Sequence, residues 1–136
     1  MNSRVTDAAD VDPRPLGKIL VGVFVGGMIG TAARLALSLL NDGIPWGILI
    51  ANLAGALLLG FLFERVREHR IRGSETWAVL GPGLCGALTT FSALQMDAIE
   101  LARDGQVLVA VAYLVASVAL GVPIAAVGRW IGRGAL

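Results

Sequence analysis

Seven consecutive residues, Gly86-Ala87-Leu88-Thr89-Thr90-Phe91-Ser92, gather the groups of this chain best suited to meet an ion. Thr89, Thr90 and Ser92 bring three hydroxyls, which can donate to an anion or offer oxygen to a cation. Gly86 loosens the backbone, Pro82 precedes the run by one turn, and the ring of Phe91 has a positive edge that an anion can approach. Asn52 adds an amide with two N–H donors and one carbonyl, suited either to a hydrogen bond between helices or to the wall of an ion path. Tyr113 and Ser117 are four residues apart, so a helix puts both hydroxyls on one face. Ser117 could instead bond the backbone of its own helix. Arg34 either reaches the membrane surface along its aliphatic stem or holds a vestibule electropositive for anions.

These groups do not make an enzyme. Asp97 and Glu100 fall near the far end of the third apolar segment, and the first, second and fourth contain no Asp, Glu or His. Proton-coupled transport and intramembrane proteolysis need a titratable or metal-binding group at depth. The single histidine, His69, sits among charged loop residues with no nucleophile to serve, and the single Cys85 can form neither a disulfide nor a zinc cluster within the chain. Cys85 is expected to pack as a small apolar residue.

The elements that position these groups are membrane spans. Of 136 residues, 56% are hydrophobic and 15% charged, whereas a soluble domain is about 45–50% apolar even with glycine counted. Four apolar segments, Ile19–Leu40, Ile44–Phe63, Trp77–Leu101 and Val107–Val127, are each near the length that crosses a bilayer. The reading is an all-α integral membrane protein: residues 1–17 a disordered tail, residues 18–132 one four-helix domain. The first segment is longer than a signal-peptide core and lacks a following small-residue cleavage pattern, so it is expected to remain in the mature protein. Asn41-Asp42-Gly43 and Arg103-Asp104-Gly105 read as tight turns, and Glu64–Glu75 as a charged loop.

Charge then orients the chain. Four spans put both termini and the middle loop on one side, with Arg4, Arg14, Lys18, Arg65, Arg67, Arg70, Arg72, Arg129 and Arg133; the other side has Arg103, and Arg34 if it reaches outward. By the positive-inside rule both termini face the cytoplasm. A net charge of +1 without basic blocks beside aromatic platforms gives nucleic acid no footprint. Small residues at Gly22, Gly26 and Gly30, beside Gly27, at Gly55 and Gly60, and at Ser117 and Gly121 let helices approach closely, which predicts tight bundling and an oligomer.

Within hydrocarbon, backbone leaves the helix only where its freed groups face protein, ion or water. The third span is therefore expected to be broken at Gly86–Ser92. Unwound carbonyls there would suit a small hard cation such as sodium, and the hydroxyls would suit an anion.

The same pieces carry a family resemblance. Gly26-Gly27-Met28-Ile29-Gly30-Thr31-Ala32-Ala33-Arg34, Asn52-Leu53-Ala54-Gly55, Gly86 through Ser92, and Tyr113 with Ser117 resemble, in order and across all four spans, the CrcB/Fluc fluoride channel family. The resemblance implies a multi-pass protein of the bacterial plasma (inner) membrane that lets fluoride leave the cytoplasm passively. It implies an antiparallel dimer with two pores, and a structural sodium, not transported, held by the backbone carbonyls of Gly86 and Thr89. It also implies a fluoride path lined by Asn52, Thr90, Phe91, Ser92, Tyr113 and Ser117, with Arg34 near its vestibule. The chain departs from the family where Ala93-Leu94 stand in place of the usual Thr-Phe, and Asp97 in place of a Glu. Together with the one-sided charge, Leu94 suggests a heterodimer with a homologous subunit of opposite orientation, the alternative to the family's homodimer. Other readings are a small multidrug-type transporter, which would need an acid where the first span has Arg34, and a non-conducting membrane assembly subunit, which would explain the glycine stripes but not the hydroxyl-rich run.

Overall fold

Helix α1 (Pro13–Ser38) leads into α2 (Trp46–Arg67) through a turn in which Gly43 takes a positive φ of 71°. Asn41 closes that turn, its Oδ1 accepting from the N–H of Gly47, one of the donors a helix start leaves open. The computed structural model describes residues 13–41, 43–68 and 74–134. The third segment contains α3 (Ser74–Ala78), a π-helical stretch (Val79–Cys85), α4 (Gly86–Leu88) and α5 (Phe91–Arg103), and α6 (Val107–Gly134) follows. Between α5 and α6, Gly105 has a φ of 78°. Its N–H bonds the Ala102 carbonyl and that of Gln106 the Leu101 carbonyl, a helix stop that only a residue tolerant of left-handed backbone makes cheaply.

Among the described residues the secondary structure is helical, and four segments are long and apolar enough to span a membrane: Leu16–Ser38, Trp46–Arg67, Glu75–Arg103 and Val107–Gly134. Each sequence-expected span is present, with shifted ends. The first helix begins at Pro13, inside the stretch assigned to a tail, whose residues 1–12 lie outside the described residues. The second and fourth run on past Phe63 and Val127, so Glu64–Arg67 is helix and not loop. Charge alone marks those ends as loop-like, but the charges there pair with one another across α2 and α6, which lets both helices continue. Asp42 and His69 also lie outside the described residues.

Glycines decide which helices touch. A Cβ at Gly26 would strike the Val79 carbonyl, and one at Gly30 the Leu84 carbonyl, so the α1 stripe seats the π-helical stretch within the same chain. Gly60 and Gly128 meet the Ala125 and Leu57 carbonyls in the same way and bring α2 against α6. Gly27 and Gly121 face open space. Toward the opposite end of the bundle, Ile48, Leu49, Leu94, Ala98, Leu101, Ala110 and Tyr113 form a buried apolar cluster between α2, α5 and α6. Long apolar side chains such as Leu20, Phe24, Val118 and Val122 remain exposed, as a membrane chain's outer faces are.

The interruption in the third segment is shorter than the sequence reading expects. Gly86–Leu88 and Phe91–Ser92 are helical, and only Thr89 (φ −82°, ψ 149°) and Thr90 (φ −153°, ψ 125°) are extended. The segment from Glu75 to Arg103 bends only slightly. Pro82 falls in the π-helical stretch, where wider winding accommodates a residue that lacks an N–H and crowds the preceding turn.

Candidate functional site

The two extended residues are held by a side chain on another helix. Asn52, midway along α2, donates from Nδ2 to the Thr90 carbonyl (3.1 Å) and accepts on Oδ1 from the Thr90 N–H (2.8 Å). One amide thus replaces both helical partners of one residue. Gly55, one turn on, gives the Thr89 methyl room, since a Cβ there would overlap Thr89 Cγ2. Thr90 then starts α5 as its cap, its Oγ1 accepting from the Ala93 N–H at 3.2 Å.

The break frees several backbone carbonyls of their helical donors, and for two of them the donor has a named new partner. The Thr90 N–H, which in continuous helix would serve the Gly86 carbonyl, goes to Asn52. The Ala93 N–H, which would serve the Thr89 carbonyl, goes to Thr90 Oγ1. These are the two carbonyls the sequence reading nominates for a cation.

The same region opens into a groove of about 670 Å³ between α2, the third segment and α6. Six nominated residues line it: Asn52, Gly86, Thr89, Thr90, Phe91 and Ser117. Leu59, Trp77, Leu94 and Gly121 are among its apolar and small neighbours, and none of its lining residues is charged. Ser92 joins through Thr90, the two hydroxyl oxygens lying 3.2 Å apart. Phe91 is 69% exposed, so its ring is free to meet whatever fills the groove or covers it.

Hydrogen-bond partners separate the hydroxyls into two kinds. Thr89 donates its hydroxyl to the Cys85 carbonyl at 3.0 Å, and Ser117 donates to the Tyr113 carbonyl at 2.9 Å, both within one helical turn. For Ser117 the local backbone bond is thus the alternative that forms. Thr90 and Ser92 share one bond, which leaves one hydroxyl hydrogen over, and Asn52 keeps its second Nδ2 hydrogen. The spare donors therefore cluster at Asn52, Thr90 and Ser92, around the Phe91 ring.

Tyr113 and Arg34 do not line the groove. Tyr113 is buried, one turn from Ser117, and directs its hydroxyl to Asp97 Oδ2 at 3.0 Å, with the Pro45 carbonyl at 3.4 Å. Arg34 is half-buried on α1. Leu94, where the sequence resemblance leads one to expect an aromatic, is buried and lines the groove on α5.

One charged site escaped the sequence reading. Glu64, assigned to a loop, is fully buried on α2, with Arg67 at 2.8 Å and Arg129 and Arg133 each at 3.2 Å. The available signal was spacing: Glu64 and Arg67 share a face of one helix, and Arg129 and Arg133 share a face of another.

Comparison with known proteins identifies the family. A family model described as "CrcB-like protein, Camphor Resistance (CrcB)" matches residues 21–129. The chain belongs to this family. It is 41% identical over 106 residues to "Fluoride-specific ion channel FluC 1" of Mycobacterium bovis, an alignment covering 75% of this chain and 80% of that protein. It is 39% identical over 111 residues to "Fluoride-specific ion channel FluC" of Chlorobium luteolum, covering 79% and 84%. A protein of the same name from a Chelativorans species is 36% identical over 122 residues, covering 86% and 98%. The CrcB match spans all four membrane helices, from α1 to Arg129 in α6.

Proposed function

We propose that this CrcB-family chain is a fluoride channel that lets the anion leave the cytoplasm down its gradient. The observation that carries the reading is a groove without fixed charge in which an amide, spare hydroxyl hydrogens and an exposed phenyl ring surround a two-residue gap in helix. Fluoride holds its water tightly, so it passes only where donors replace that water along the way. Asn52, Thr90 and Ser92 supply such donors, and the Phe91 edge adds a positive field. With no charged side chain lining the groove, no fixed positive charge holds the ion strongly enough to trap it. The relatives' printed function points the same way.

Ser117 and Tyr113 enter the path in a second role. Their hydroxyls are engaged with carbonyl and carboxylate oxygens, so they contribute to fluoride only if those bonds are exchanged as the ion arrives. Arg34 acts at a distance, holding a vestibule positive.

The structural sodium fits the donor set. Hard cations take oxygen ligands, and the Gly86 and Thr89 carbonyls are among those in this segment whose helical N–H partners are diverted elsewhere. Two oxygens are too few for one chain to enclose such an ion, whereas two chains meeting at this segment would offer four. A bound cation would neutralise the carbonyl dipoles there and hold the two chains together.

The assembly is a dimer in which the second chain has the opposite orientation and covers the groove's open side. Leu94, an aliphatic residue buried at the groove, and the one-sided Lys/Arg count motivate a homologous partner as the alternative to a second copy of this chain.

Fluoride efflux from liposomes containing this chain alone, beside chloride efflux and the Phe91→Ile variant, tests the reading. Fluoride-selective efflux that the variant loses supports it and a homodimer together. Absence of efflux from folded protein, restored by co-reconstitution with a paired homologue, supports the heterodimer; absence in both cases overturns the channel reading.

A further inference from the structure

The Glu64 cluster lies outside the groove and has chemistry of its own. Its carboxylate is fully buried, whereas the side chains of Arg67, Arg129 and Arg133 around it keep 61%, 44% and 52% of their surface exposed. One carboxylate offsets one guanidinium, so two positive charges remain in excess on side chains that stay partly exposed. The Phe63 ring, 5.7 Å from the Arg129 guanidinium carbon, helps hold that side chain in place. Exposed Glu68, at the end of α2, forms no ion pair with the cluster.

Geometry places these charges where a lipid headgroup would be. Gly132 leaves only 3.0 Å between its would-be Cβ and Glu64 Cβ, so α6 lies close on the last turns of α2, at the ends of two membrane spans. Beside the cluster is a groove of about 650 Å³ lined by Trp130, Ile131, Arg133 and Gly134, with Trp130 73% exposed. An exposed tryptophan beside arginines is the arrangement of a membrane–water boundary. Basic pockets between spans draw anionic headgroups, and planar guanidinium forks pair with phosphate oxygens in two-pronged fashion.

We propose that this end of the α2–α6 pair is a binding site for an anionic phospholipid. Its phosphate rests on the N–H groups of Arg67, Arg129 and Arg133, and its glycerol and upper chains lie along Trp130 and Ile131. Glu64 orients the three forks and limits their excess charge to two.

Native mass spectrometry of the full chain in mild detergent, titrated with phosphatidylglycerol or phosphatidylcholine, tests the site, with inorganic phosphate as a third arm. Phosphatidylglycerol is expected to bind more tightly than phosphatidylcholine. Arg133→Gln should weaken it about fivefold, from roughly 1 kcal/mol per basic residue at the membrane surface. Glu64→Gln, which raises the excess to three charges, should strengthen it by a similar factor. Thermal unfolding in the same detergent identifies variants that fail to fold, and Arg67→Gln provides a second loss variant at the most exposed guanidinium. Equal binding of the two lipids, or unchanged phosphatidylglycerol binding in the folded arginine variants, overturns the proposal. Protection from unfolding by inorganic phosphate equal to that by phosphatidylglycerol would also overturn it, by showing a site for a free anion.

Discussion

Replacing Asn52 by alanine removes both bonds that hold Thr90 out of helix, the 3.1 Å donation to its carbonyl and the 2.8 Å acceptance from its N–H. Hydrogen bonds between membrane helices average about 0.6 kcal/mol and reach about 1.7, so the pair contributes roughly 1–3 kcal/mol. The loss can be partly recovered, because a freed Thr90 N–H is the natural partner of the Gly86 carbonyl. Asn52→Ala should therefore lower thermal stability modestly while closing the gap in the helix. Flux should fall much further. The variant loses the spare amide hydrogen, and a hydrogen bond to a charged group is worth about 1.5–3 kcal/mol, or roughly ten- to a hundredfold in rate. A fluoride electrode following efflux from liposomes, with thermal unfolding in detergent beside it, reads both quantities. Asn52→Asp sharpens the test, since it keeps an acceptor for the Thr90 N–H but loses the donor and, when ionised, puts a negative charge in an anion's path. Near-normal fluoride flux in folded Asn52→Ala would refute the idea that this amide both holds the gap and serves the ion.

The other expectations divide between conduction and packing. Phe91→Ile should leave the fold of the single chain intact, because the ring is exposed there, yet reduce fluoride efflux more than about tenfold by removing a positive edge that isoleucine cannot replace; normal efflux would remove Phe91 from the path. Ser117→Ala should change efflux by less than about threefold, since its hydroxyl already serves the Tyr113 carbonyl at a net value of about 1 kcal/mol; a much larger loss would place its hydrogen on the ion. Neighbouring glycines should respond with opposite sign in thermal unfolding: Gly26→Ala drives a methyl into the Val79 carbonyl and should cost about 1–3 kcal/mol, whereas Gly27→Ala meets open space and should gain up to about 1 kcal/mol of helix propensity.

Four spans, the turns at Gly43 and Gly105, and the cluster of Asn52, Thr89, Thr90 and Phe91 at one groove were legible because each leaves a local mark. Apolar runs of fixed length announce helices, and glycine after Asn or Asp announces a turn. Polar groups inside an apolar run announce a site by their cost. The Gly22, Gly26 and Gly30 stripe was legible as a contact face but not its partner, because a small residue admits any backbone that approaches. Here that backbone is the chain's own π-helical stretch at Val79 and Leu84.

What sequence concealed was which polar group bonds which. Hydroxyls at Thr89, Ser92 and Ser117 look alike as residue types, yet Thr89 and Ser117 turn back on their own helices while Ser92 meets Thr90. The length of the helix gap was concealed for a related reason. Thr89 and Thr90 have no need to leave helix by themselves, and a residue 38 positions earlier holds the second of them out. Glu64 shows the same logic from the other side: read locally, a carboxylate after Phe63 ends a span, but three arginines from two helices keep it buried and extend both. For the helix gap and for Glu64 the deciding interactions include long-range polar ones. Midway along a span, as at Asn52, such an interaction meets little competition from water. The one amide of Asn52 can therefore set the backbone of a segment whose own sequence would otherwise let it run on as helix.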